Sequence, residues 1–350
     1  MPVRYLVSCC ALLLCLRAVH AQSPLPSFPE PEKIIKSDKQ FNAVTLGPGN
    51  TFSVQAVPPD FELEAFDFSA DEKLLFMEWR SGRLEVRDLS SGKRISEVKP
   101  VLGPLFEVED APMTKQLLVV TQHGMIRFVD PHSGKKLREI QVEKGKFDYD
   151  IQKVLLAPDG SWLAYVNQAN GKVLDLRSDP PKILADLADG YDVALSPDQT
   201  SLWVVSRNRL FGYKVGNWGL TGTTSLLDEV RPEGTTTLAV VSDKGAPVAF
   251  VPSKSGLLEF DLTSLKGRKV TDIPTYWVAA DREHNQVFVH EFQVSALYGS
   301  DGEVHCRWQM HPAQDFKLSP SGRWLGDRNF GKVELWSTQS LMEACSAKEK

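Results

Sequence analysis

The chain has 350 residues, 42% of them hydrophobic and 24% charged, with a formal net charge of −5. That is enough apolar material for one large domain or two ordinary ones, and it excludes disorder throughout. No basic excess marks a nucleic-acid surface.

The first element is a targeting segment. MPVR supplies a positive start, and YLVSCCALLLCL is an apolar run of about 12 residues. Val19 and Ala21 place small side chains three and one positions before a cut. The pattern predicts a secretory signal peptide over 1–21, cleaved near Ala21, and hence a secreted or periplasmic protein. Leu6-Val7-Ser8-Cys9 offers a lipid-anchor alternative. Residues 1–21 carry Arg4 and Arg17 and no acid, so the remainder has charge −5 − 2 = −7. Their removal takes Cys9, Cys10 and Cys15 with it and leaves Cys306 and Cys345. An even pair in an oxidising compartment reads as one disulfide or as two separate thiols, and spacing does not choose. No later stretch reaches roughly 18 apolar residues, so no membrane span is expected.

Residues 22–50 follow as a proline-rich extended leader, with four prolines in QSPLPSFPEPEK. From residue 51 the chain repeats. APDGSWLAYVNQANGKVLDL (157–176) returns as SPSGRWLGDRNFGKVELW (319–336), and five further units share the plan of turn, strand, loop and strand. The turns begin at Ser69, Ala111, Ala157, Ser196, Ser242, Ala280 and Ser319, with gaps of 42, 46, 39, 46, 38 and 39 residues. A period near 40 with several short strands per unit is the signature of a propeller. Ser-Pro-Asp and Ala-Pro-Asp-Gly have the chemistry of tight turns: fixed φ at Pro, a self-bonding Asp, and Gly free to take φ > 0. Runs such as LLVV, WLAYV and LWVV are continuous rather than alternating, as expected for strands covered on both faces. The fold class is therefore all-β: a seven-bladed β-propeller of four-stranded antiparallel blades over 51–345, with 346–350 as a tail. TFSVQAV (51–57) reads as the strand that completes the last blade, with LMEAC (341–345) as the alternative.

Over about 50–345 these residues resemble the WD-repeat and YVTN-type β-propellers. The resemblance rests on the SPDG-like turns (APDG at 157–160, SPDQ at 196–199), on an Asp ending the third strand (Asp88, Asp130, Asp175, Asp261) and on DREHNQVFV. The strict WD pattern of Gly-His and Trp-Asp is absent: Arg87, Val129, Leu174 and Phe260 stand at the Trp position, and Trp336 is followed by Ser337. A looser extracytoplasmic, bacterial-looking propeller is the better match. The resemblance implies ligand binding at the channel mouth on the face of the second-to-third-strand loops.

Those loops (EWRSGR, TQHG, NQANGK, SRNR, SKSG, HEFQ, DRNFGK) hold eight cations: Arg80, Arg83, Lys172, Arg207, Arg209, Lys254, Arg328 and Lys332. They hold three acids, Glu78, Glu291 and Asp327, and so carry 8 − 3 = +5. His123 sits beside Gly124 in the same set. Arg offers a planar fork for carboxylate or phosphate, so the expected site is an anion-binding ring, with Arg80, Arg207, Arg209 and Arg328 as leading contacts. Solvated loop charge is the competing explanation.

His290, His305, Cys306 and His311 lie close in sequence, but strand alternation puts His305 and Cys306 on opposite faces, so no metal is expected. There is no Gly-x-Ser-x-Gly, no His-Glu-x-x-His and no phosphate-cradling Gly loop. Asp148-Tyr149-Asp150 and Tyr191-Asp192 precede inner strands, either as caps and turn formers or as channel carboxylates. Trp162, Trp203 and Trp324 share a second-strand position, which suits blade packing rather than a cofactor stack. No cofactor is expected. The protein reads as a monomeric, non-catalytic binding or scaffold module for a protein partner or a small anionic ligand. A lactonase- or quinoprotein-like propeller enzyme is the alternative.

Overall fold

The computed structural model describes residues 25, 28–36, 44–46, 52–54, 62–98, 105–111, 115–121, 125–141, 151–167, 170–230, 237–292, 294–309, 316–329 and 331–346. The segment 1–21, read above as a signal peptide, and His123, Asp148–Asp150 and His311 lie outside them.

Seven four-stranded antiparallel sheets are arranged as the blades of a β-propeller. Their inner strands are Leu63–Phe68, Leu105–Ala111, Lys153–Leu156, Asp192–Leu195, Ala239–Asp243, Thr275–Asp281 and Phe316–Leu318, for blades 1 to 7. The chain runs outward through each blade, so alternate loops fall on opposite faces. First-hairpin turns and third-to-fourth turns share one face, the turn face. Second-to-third loops and blade-to-blade connections share the other, the loop face.

Period-2 alternation explains the packing. Leu75, Met77 and Trp79 point towards blade 7, while Phe76 between them points towards blade 2. Among the described residues the buried apolar side chains fall into seven clusters, one for each blade-to-blade interface. Both faces of every blade are thus apolar, which is why the middle strands read as continuous hydrophobic runs. The second-strand tryptophans pack as expected: Trp203 is buried between blades 4 and 5, and Trp162 and Trp324 edge two other clusters.

The expected turn chemistry is present. Asp88 accepts from Ser91 N (2.7 Å) and the hydroxyls of Ser90 and Ser91, which hold its carboxyl down at about 2. Asp130 accepts from His132 N and Ser133 N, and Asp261 from Thr263 N and Ser264 N. Gly160 and Gly322 take positive φ in the first hairpin turns of blades 3 and 7.

Ring closure differs from the expectation. The fourth strand of blade 7 is Lys33–Lys36, paired antiparallel with Lys332–Ser337. Phe52–Val54, the described part of the expected closing segment 51–57, pairs instead with Val44–Leu46 in a separate two-stranded ribbon. Residues 341–345 lie in a helix, Thr338–Ser346. TFSVQAV has strand propensity, but propensity names no partner. KIIK supplies what the gap requires: Ile35 is 2% exposed between Leu89, Val333 and Leu335, while Ile34 faces outward at 44%. Lys33 Nζ donates to Leu89 O (2.9 Å) and Ser90 O (3.2 Å) and lies over the Trp324 ring.

Residues 28–36 of the leader are therefore part of the domain. Phe28 meets Trp336 edge-on at 5.2 Å and Trp308 at 5.7 Å, and Trp336 Nε1 donates to Pro29 O (2.9 Å). Cys306 and Cys345 form a disulfide, with Cα atoms 6.0 Å apart, that ties the C-terminal helix to the outer strand of blade 6. His305 is exposed and Cys306 buried, on opposite sides of that strand.

Candidate functional site

The loop-face cations are brought near one another's acids rather than into an open ring. Arg80 forks onto Glu62 at 2.9 and 3.0 Å. Arg207 and Lys254 share Glu229, at 3.1 and 2.7 Å, and Lys254 with Arg207 beside it holds that carboxyl below the usual range. Lys332 bonds Glu334. Arg328 donates to Leu63 O (2.8 Å), joining blade 7 to blade 1. Lys172 is half-buried, between Tyr165 and Asp186 in the sheet register. Arg209 is exposed and has no ion pair among the described residues.

Arg83 is not at the mouth at all. It is buried against the Trp79 ring, its centre 4.6 Å away, and bonds Glu85, which also accepts from Arg87 Nε (2.8 Å). Alternate positions on one strand make a buried Arg-Glu-Arg row facing blade 7. The three loop acids are also fully buried: Glu78, Glu291 and Asp327. Glu291 accepts the Tyr298 hydroxyl, and Arg307 Nη2 donates to the same hydroxyl (2.7 Å). Burial, reinforced by Glu291, pushes Tyr298 up to about 12.

Counting charge within the loops missed these pairs because the partners lie elsewhere. Glu62 and Glu229 sit in blade-to-blade connections, and Glu85 and Glu334 lie two residues along a strand from their cations.

The central channel carries a different constellation. A cavity of about 340 Å³ is lined from six blades, by Asp67, Lys153, Asp192, Arg282 and Lys317 among smaller and apolar side chains. Three cations thus face two carboxylates. Asp192 is anchored to backbone: Oδ1 accepts from Val193 N (2.8 Å), and Oδ2 from Thr237 N (2.7 Å) and Leu238 N (3.0 Å). It is a cap tying blade 4 to blade 5, as one of its two expected roles required. Asp67 accepts from Phe68 N (2.7 Å) and lies 3.5 Å from Lys317 Nζ. Arg282, in the first hairpin turn of blade 6, reaches past blade 5 to Leu195 O of blade 4 at 3.4 Å.

Of these five, sequence reading singled out Asp192 alone. Two of the others had a signal: Asp67 and Lys317 stand two positions before the residue that closes their first hairpin, as does Leu155, which also lines the cavity.

His290 lies beside this region on the blade 6 wall. It stacks on Trp277 at 5.7 Å and 9°, 6.3 Å from Phe316. Burial lowers its pKa to about 4, so the ring is neutral. Among the described residues no group of three or more His, Cys, Asp or Glu is placed to hold an ion.

Fold and site together define a seven-bladed β-propeller with a mixed-charge, cation-rich central channel. No family model matches the chain, and no curated protein matches it.

Proposed function

We propose that the protein is a non-catalytic, extracytoplasmic binding module whose central channel takes a small anionic ligand. The observation that carries this reading is the cavity itself: Lys153, Arg282 and Lys317 converge on it from three blades and outnumber its two carboxylates, Asp67 and Asp192. Its volume corresponds to on the order of ten waters, the size of a small organic anion. Charge-assisted bonds from Lys and Arg to a carboxylate or phosphate are stronger than neutral ones. The Cys306–Cys345 bridge supports the oxidising compartment.

A protein partner on the loop face is the second reading, favoured by Phe292, which is 52% exposed in the blade 6 loop. The test is thermal stabilisation of the purified protein across carboxylates and phosphate, since a ligand that binds only the folded state raises the melting temperature. The expected result is a shift that Lys153→Met/Lys317→Met abolishes and Arg80→Ala/Arg207→Ala leaves intact. The Arg pair variant should also melt where the wild type does, because exposed ion pairs add little. No shift with any anion would overturn the channel reading and leave the loop face.

A further inference from the structure

Blade 4 has an outer edge unlike the others. Its fourth strand, Leu220–Ser225, reads LTGTTS and carries no charge. The outer strands of the other six blades read RISEV, KLREIQ, KILADL, KGRKVT, VHCRWQ and KIIK, and each holds at least one Lys or Arg. An outer strand presents unpaired backbone N–H and C=O groups to any other strand, and charge is a usual guard against such pairing. Blade 4 keeps only a β-bulge: Gly222 pairs with Gly212 and Leu220 with Tyr213, which leaves Thr221 unpaired. Blades 1, 2, 3, 5 and 6 have an outer register shift as well, so the missing charge is what sets blade 4 apart. No proline interrupts the strand, Thr favours extended backbone, and every residue is exposed or half-exposed. The two most exposed large apolar side chains among the described residues bracket it: Leu220 at its start (58%) and Leu227 two residues past its end (59%). Leu226 N still donates to Asn208 O (2.9 Å), so the extended course runs on to the residue before Leu227.

We infer that this edge pairs with a second copy of the chain, strand Leu220–Ser225 lying antiparallel on its own equivalent about a two-fold axis. Antiparallel pairing brings the start of each strand to the end of the other. The register that sets Thr223 against Thr224 of the partner subunit also sets Leu220 against Leu227 of the partner subunit, and symmetry repeats both pairs. Thr–Thr and apolar cross-strand pairs stabilise a sheet, and the leucines leave water. An uncharged strand brings no like charges face to face. Two four-stranded blades thereby become one eight-stranded sheet. The contact is small, so the dimer is a weak one. This departs from the monomer that the sequence suggested. It is independent of the channel reading, since the axis runs through the rim of blade 4.

Sedimentation equilibrium of the purified protein, from about 1 μM to about 200 μM, tests it. The expected result is a molar mass that doubles across this range. Thr223→Lys/Thr224→Lys sets like charges opposite each other in the paired edge and should hold the mass at one chain throughout. Ile95→Lys, on the charged edge of blade 1, should leave the doubling intact. All three positions are exposed or half-exposed, so the propeller should survive the changes, and melting curves check this. A single-chain mass for the wild type at every concentration would overturn the inference. So would a doubling that persists in Thr223→Lys/Thr224→Lys, which would place the contact elsewhere, or a mass that grows past two copies, which no two-fold pairing allows.

Discussion

Blades 2 to 4 and blades 6, 7 and 1 solve one packing problem with different materials. The interfaces on either side of blade 3 are mostly aliphatic, built from Leu, Val and Ile, and each blade there is one unbroken stretch of chain. The interface between blades 6 and 7 is aromatic: Trp277, Phe288, Trp308, Phe316 and Trp336, with Phe28 inserted from the N-terminal segment. It also carries the helix and the disulfide, and the next interface receives the closing strand. The ring is closed there by two chain ends that must find each other. Bringing them together costs loop-closure entropy. Large rings, a covalent staple and a borrowed strand all oppose opening where a continuous chain does not.

The largest expected effect of breaking this sector is at the staple. With its cysteines 39 positions apart in sequence, loss of the bridge should cost about 3–4 kcal/mol by the chain-entropy relation. Urea unfolding of Cys306→Ser/Cys345→Ser should show it, and reductant should bring the wild type to the same midpoint. A variant as stable as the oxidised wild type would mean that the helix docks without the bridge.

The closing strand gives an internal comparison. Ile35→Ala removes a buried side chain from the blade 7 to blade 1 interface and should cost about 2–4 kcal/mol. Ile34→Ala, its exposed neighbour, should stay within about 0.5 kcal/mol. Equal effects would mean a different register for Lys33–Lys36.

A smaller effect separates the sectors by pH. His290 packs in the aromatic wall with its pKa lowered to about 4, whereas the unfolded chain protonates near its ordinary 6.5. Between those values the unfolded state binds more protons, so stability falls as the solution is acidified from 6.5 towards 4. Between pH 7 and 4.5 this should amount to about 2 kcal/mol, by the conversion of a pKa shift to free energy. His290→Leu should lose that part of the pH slope. An unchanged slope in the variant would show that other groups set it.

Much of the fold was legible from residues alone. The turn sequences beginning at Ser69, Ala157, Ser196 and Ser319 set the spacing of the blades. The doubly apolar middle strands showed that both faces would be covered. Asp88, Asp130 and Asp261 behave as turn formers because their hydrogen bonds are local, to residues two or three positions on. The channel site was less legible. Lys153 and Lys317 look like ordinary strand lysines in sequence, and Arg282 like a turn residue.

What the sequence determined by itself is what depends on near neighbours: period, strand pattern, turn type and the number of blades. Tertiary structure alone decided which strand closes the ring, whether Cys306 and Cys345 bond and which charges are neutralised. Ile35 meets Val333 across nearly 300 residues, Arg207 and Lys254 share Glu229 from two different blades, and the channel cations come from blades 3, 6 and 7. Coulombic and apolar contacts depend on distance in space, and a linear pattern reports that distance only within one strand and its turn.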